Sequence, residues 1–173
     1  MKKNNSLYFF TATILEWKHL LKKDKYKDII IESLRFLQNS NKIKVFAFVI
    51  MPNHIHLVWK IINNDSYSDI QRDFLKFVAK QIITDLRVDY PEVLKKFYVG
   101  AKDREYQIWE RNPLSIEIIS QNVAEQKINY IHKNPIAEKW SLADEPQKYK
   151  YSSAKFYYEG IDEFKILDNY MDT

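Results

Sequence analysis

Apolar and polar positions change period several times along the chain, and each change marks an element. Aromatic and β-branched residues dominate from Leu7 to Leu15, which predicts a strand, and Tyr26 to Gln38 carries Ile30, Leu34 and Leu37 at helical spacing. Two strand-like runs follow, Ile43 to Met51 and His54 to Ile62, separated by Pro52-Asn53, a turn pair that folds them into a tight antiparallel hairpin. From Ser68, read as a cap, to about Val88 the positions Ile70, Phe74, Phe77, Val78 and Ile82 repeat with helical period. Glu105 to Trp109 reads as a short strand. Ser115 reads as the N-cap of a third helix that runs to Lys133 and is stopped by Asn134-Pro135. From about residue 141 the tail is polar and tyrosine-rich, and its pattern assigns no element. Strands and helices in this order predict an α+β fold, an antiparallel sheet with helices packed mainly on one face.

Composition narrows the class. A chain of 173 residues with 46% hydrophobic residues, five prolines and two glycines is expected to fold as one domain spanning 1–173, with the tail the least certain part. The longest apolar run, Val45 to Met51, is far too short to cross a bilayer, and Met1-Lys2-Lys3-Asn4-Asn5 leads into a polar-interrupted pattern, not a secretory core. No membrane association and a cytoplasmic location are therefore expected. With no cysteine the chain has no disulfide, thiolate metal site or cysteine nucleophile, so any metal must be held by nitrogen and oxygen. The net charge is +4, and lysines thicken between Lys18 and Lys27. Such a patch suits a polyanion, with Lys18 and Lys22 as candidate contacts to a nucleic-acid backbone, although a lysine-rich segment is more commonly a solvated face.

His54 and His56 are two of only four histidines, one residue apart at the start of a predicted strand. Alternation points both to one face while Ile55, Leu57 and Trp59 point to the other, and same-face positions roughly 6.5 to 7 Å apart let two imidazoles reach one ion. The competing reading is a pair of strand histidines bonded to nearby carbonyls. A second motif lies in Ile128-Asn129-Tyr130-Ile131-His132-Lys133-Asn134-Pro135. Tyr130 and Asn134 are about 40° apart in helical projection, so a phenol and an amide project together, whereas His132 lies about 200° from Tyr130 and is not counted as a ligand. Tyr130 also reads as an ordinary amphipathic-helix tyrosine, and Asn134 as a helix-ending residue before proline. A histidine-triad hydrolase would need a third alternating histidine where Val58 stands, and a cupin would need glycine-rich strands that this chain lacks.

Pro52-Asn53-His54-Ile55-His56, Trp109-Glu110-Arg111 and Tyr130-Ile131-His132-Lys133-Asn134-Pro135, in that order and spacing, resemble the motifs of the REP-associated tyrosine transposases. These belong to the single-tyrosine branch of the HUH nucleases, in which U is a bulky apolar residue. The likeness runs from the first strand to near Tyr151. It implies an RRM-like or ferredoxin-like sheet, a bacterial enzyme, and a single-strand DNA transposase or endonuclease. By the same resemblance Tyr130 is the nucleophile that forms a 5′-phosphotyrosine and expels a 3′-hydroxyl, and His54, His56 and Asn134 hold Mg²⁺ or Mn²⁺. Wider insertion-sequence relatives have glutamine at the place of Asn134. Relatives also read Trp-Gln-Arg where this chain has Glu110, which puts a polar contact from that position in doubt. Arg111 is a candidate phosphate contact, and Trp109 is either a core residue or a base-stacking platform. The implied partner is single-stranded or hairpin DNA, with a monomer favoured over a dimer. The alternative is a module that binds single-stranded nucleic acid on the same fold without catalysis.

Overall fold

The computed structural model describes residues 6–172, so the expectation placed on residues 1–5 lies outside them. Strand β1 (Leu7–Thr13) opens the fold and is followed by two short 3₁₀ turns, Leu15–Trp17 and Leu20–Lys22. Helix α1 (Asp24–Asn39) returns the chain to the hairpin of β2 (Ile43–Ile50) and β3 (His54–Ile61), closed by a bond from Met51 N–H to the His54 carbonyl at 2.8 Å. Helix α2 (Tyr67–Asp89), the short α3 (Pro91–Lys95) and a small ribbon of β4 (Tyr98–Ala101) and β5 (Arg104–Tyr106) come next. Strand β6 (Leu114–Ile118) and helix α4 (Gln121–Lys133) follow. The main sheet is antiparallel in the order β2-β3-β1-β6. This is the βαββαβ arrangement of a ferredoxin-like sheet, so the expected α+β class holds.

Alternation divides the sheet between two cores. Phe10, Ala12, Ile55, Leu57 and Trp59 face α1 and α2, where Ile30, Leu34, Phe74, Val78 and Ile82 cover them. Phe9, Val49, Met51 and Val58 face the other way, against Ile128 and Ile131 of α4. The two long helices thus share one face, and α4 covers part of the opposite one. A register shift between Val45 and Ala47 turns Phe46 and Ala47 to the α4 side together, as a bulge does. The Tyr157 hydroxyl donates to the Phe46 carbonyl at 2.7 Å.

Several expected boundaries move. Ser115 does not cap a helix: it lies in β6, where Leu114, Ile116 and Ile118 alternate with Ser115 and Glu117 and pair with β1. Its hydroxyl bonds the Tyr67 hydroxyl and Gln71, and α4 instead begins after Ser120, whose Oγ accepts from Val123 N–H at 3.2 Å. Ser66, not Ser68, caps α2 by accepting from Asp69 N–H. The strand expected at Glu105 to Trp109 ends at Tyr106, and Trp109 makes only an isolated bridge to Ile14. The tail acquires structure, with a 3₁₀ turn at Pro146–Lys148 and helix α5 (Ala154–Glu159). It also covers the outer edge of β2: Ile50 N–H donates to the Tyr151 carbonyl and Ser153 N–H to the Phe48 carbonyl, each at 2.9 Å, and Asp168 N–H donates to the Val45 carbonyl at 2.8 Å.

Candidate active site

His54 and His56 occupy the first and third positions of β3, opposite Thr13 and Thr11 of β1, and their rings lie 4.7 Å apart between centroids. Each ring is held at Nδ1. The Asn53 Oδ1 accepts from His54 Nδ1 at 2.6 Å, because the Asn53 amide nitrogen is committed to the Trp17 carbonyl at 3.3 Å. The Thr11 hydroxyl bonds His56 Nδ1 at 2.7 Å, and His56 Nε2 is buried with no hydrogen-bond partner. Outer partners of this kind fix ring orientation and leave Nε2 to act as a ligand. Burial pushes the His54 imidazole down to about 4, opposed by the Asn134 amide and assisted by Lys139. It pushes His56 down to about 3, with further contributions from His54 and Lys127. Both rings are therefore neutral at physiological pH, the state a metal requires.

Helix α4 brings the other two groups to this face. Ile128 and Ile131 are buried against the sheet, which turns Tyr130 toward the histidines, its ring 5.3 Å from His56 and 6.1 Å from Phe9. Tyr130 is 53% exposed, so the residue is not sealed into the core. One turn on, Asn134 keeps helical geometry (φ −55°, ψ −49°) despite the following proline, because a 3₁₀ turn over Asn134–Ile136 continues the helix. Its side chain approaches His54, yet Oδ1 is buried with no hydrogen-bond partner. His132 leaves α4 on another side, where Nε2 bonds the Ser153 hydroxyl at 2.8 Å.

The donor set fits a hard or borderline divalent cation. Two neutral imidazoles stand beside an amide oxygen, and two of these three groups, His56 and Asn134, present buried polar atoms that have no hydrogen-bond partner among the described residues. Among the described residues no cluster of three or more histidine, cysteine or acidic side chains could hold a metal, so any third protein ligand is of another type.

The remaining candidates scatter. Trp109 is 7% exposed and packs in the core with its indole N–H donating to the Leu75 carbonyl at 3.1 Å, so it is not a surface for bases. Arg111 is exposed and acts electrostatically on Asp103, and the Glu110 N–H before it donates to the carbonyl of Thr13, the residue opposite His54, at 2.8 Å. Lys18 pairs with Glu16 at 2.8 Å, and Lys22 is exposed. Glu110 acts locally, its carboxylate accepting from Glu16 N–H at 2.6 Å and pinning the turn after β1. Trp140, which belongs to none of the three motifs, stands 5.8 Å from His54 and 5.6 Å from His19. No sequence signal near Trp140 announces this, because the neighbourhood is made by the fold.

No protein-family model matches the chain, and no curated protein matches it. Among solved structures it is similar to a REP-associated tyrosine transposase bound to a REP hairpin, at 18% identity and a TM-score of 0.63, over 96% of this chain and 87% of that one. A provisionally assigned transposase from Deinococcus radiodurans r1 is similar at 16% identity and a TM-score of 0.48, over 72% of this chain and 87% of that one. The first likeness establishes the fold; the second adds nothing to it.

Proposed function

We propose that this chain is a REP-associated tyrosine transposase, a metal-dependent enzyme that cuts and rejoins single-stranded or hairpin DNA through Tyr130. The observation that carries this reading is the meeting of an exposed phenol with two unpartnered buried polar atoms, His56 Nε2 and Asn134 Oδ1, beside a second neutral imidazole. The motif order in the sequence and the shared fold support it.

His54, His56 and Asn134 would hold Mg²⁺ or Mn²⁺, which when bound offsets charge on a non-bridging oxygen of the scissile phosphate. Asn53 and Thr11 keep the two imidazoles in place from behind. The Tyr130 oxygen attacks phosphorus in line, giving up its proton, and the bond to the 3′-oxygen breaks. One strand then ends in a 3′-hydroxyl, and the other is joined by its 5′-phosphate to Tyr130. A phosphodiester linkage is conserved, so attack by another 3′-hydroxyl releases the tyrosine and joins new strands without a nucleotide cofactor.

The test incubates purified protein with Mn²⁺ or Mg²⁺ and labelled single-stranded DNA from beside its own gene, and compares it with Tyr130→Phe on a denaturing gel. A slow band only in the wild type supports the proposal. Measurable DNA binding with no band in either protein, across hairpins from the flanking region, would overturn catalysis in favour of a binding module.

A further inference from the structure

We propose that Trp17 is the platform on which an unpaired base of the DNA strand stacks beside the histidine pair; this rests on the reading of the site as a single-strand DNA transposase. Of the four tryptophans, Trp59 and Trp109 are core residues and Trp140 is half-buried against His54, whereas Trp17 is 67% exposed. An indole left in water is ordinarily a cost, and here it is combined with a second one. Glu16 and Trp17 both have φ of 54°, in the left-handed region that side chains bearing a Cβ rarely occupy.

The surrounding bonds impose that conformation and tie it to the turn that carries the histidines. Ile14 N–H donates to the Asn53 carbonyl at 2.8 Å, Leu21 N–H donates to the Pro52 carbonyl at 2.9 Å, and the Asn53 amide donates to the Trp17 carbonyl at 3.3 Å. Glu110 holds Glu16 N–H from the other side. The turn bearing Trp17 is thus clamped to Pro52-Asn53, and the same Asn53 side chain that holds Trp17 also orients His54. An exposed, flat side chain carried on a backbone fixed to that turn is what stacking on a base next to the scissile phosphate needs. The charge around it suits the same occupant. Lys22 and Lys139 have no ion pair among the described residues; Lys22 is exposed on the turn that follows Trp17, and Lys139 lies 5.4 Å over the Trp140 ring beside His54, where its ammonium can meet the sugar-phosphate backbone. Stacking would tolerate any base, so Trp17 would set where the strand lies without reading its sequence.

The test measures affinity of the full chain for fluorescein-labelled single-stranded DNA by anisotropy, using a set of oligonucleotides each abasic at one position near the cut. Trp17→Ala should weaken binding by about 5- to 150-fold, and Trp17→Phe should retain most of it. One abasic position should cost the wild type a similar factor and cost Trp17→Ala nothing further. Trp17→Gly, which suits the left-handed backbone, should fold at least as stably as the wild type and bind as weakly as the alanine variant. If Trp17→Ala forms the Tyr130 adduct and binds every oligonucleotide as the wild type does, or if every abasic effect adds fully to it, the platform is wrong while the transposase reading stands. A wild type that neither binds single-stranded DNA nor forms an adduct overturns both.

Discussion

What would suit His54 and His56 to hold the proposed metal is the set of atoms behind them. The two alternate onto one face in any strand, but Asn53 and Thr11 occupy Nδ1 of each ring and turn Nε2 away from them. Asn53→Ala should therefore weaken Mn²⁺ binding about 10- to 100-fold, measured by titration calorimetry, while His54 and His56 are untouched. Asn134→Ala should reduce the same affinity by removing the proposed oxygen ligand. Because burial holds His54 near 4 and His56 near 3, protons compete poorly for them, and Mn²⁺ should still bind at about pH 5.5, where an exposed histidine pair would be largely protonated. Binding lost already between about pH 7 and 6 would contradict the buried, neutral pair.

Helix α4 supplies Tyr130 and Asn134, and its rotation about its own axis decides whether they reach β3. Ile128 and Ile131 press one side onto the sheet, and His132 bonds Ser153 on another. Ser153 Oγ also accepts from Phe48 N–H at 3.0 Å, so one hydroxyl joins α4, β2 and the tail. Ser153→Ala should cost about 1–3 kcal/mol of stability by leaving buried polar groups unpaired, read by chemical denaturation, and should slow adduct formation more than it weakens DNA binding. His132 gives the same element an acid sensitivity. Burial lowers it from 6.5 to about 4, so between those values the unfolded chain takes up a proton that the folded chain refuses. Its stabilising contribution is complete above pH 6.5 and lost as pH falls toward 4, by about 3 kcal/mol at most. The denaturation midpoint should fall over that window, in the same direction that buried His54 and His56 drive it, and His132→Gln should lessen the fall without abolishing it.

In the complete fold the two edges of the sheet differ. The edge at β6 carries the exposed Leu114 and Ile116, while the edge at β2 is covered by the tail through the backbone of Val45, Phe48 and Ile50. Truncation after Ala143 would uncover β2 and remove Tyr151, Ala154 and Ile166 from the core. The shortened chain should lose its cooperative melting transition by circular dichroism and aggregate, because a bare, apolar strand edge pairs with other chains. The same tail holds Ser153 against His132, so the tyrosine-rich segment is bonded to α4, the helix that carries Tyr130.

Elements with an unambiguous period were legible in the chain alone, as were the hairpin around Pro52-Asn53, the common face of His54 and His56, and the projection of Tyr130 with Asn134. These follow from local geometry: two residues per strand repeat, about 3.6 per helical turn. Ser115 to Ser120 reads as the start of a helix from the sequence alone, because Ile116, Ile118 and Ile119 satisfy either period until β1 offers a partner strand. Long-range packing alone made Trp109 a core residue, left Trp17 outside on a strained turn, and closed β2 with the tail. It also set Thr11 behind His56 and Ser153 behind His132. Those bonds join residues 45 and 21 positions apart along the chain, and no local pattern encodes a pairing that the sheet register and the packing of α4 create.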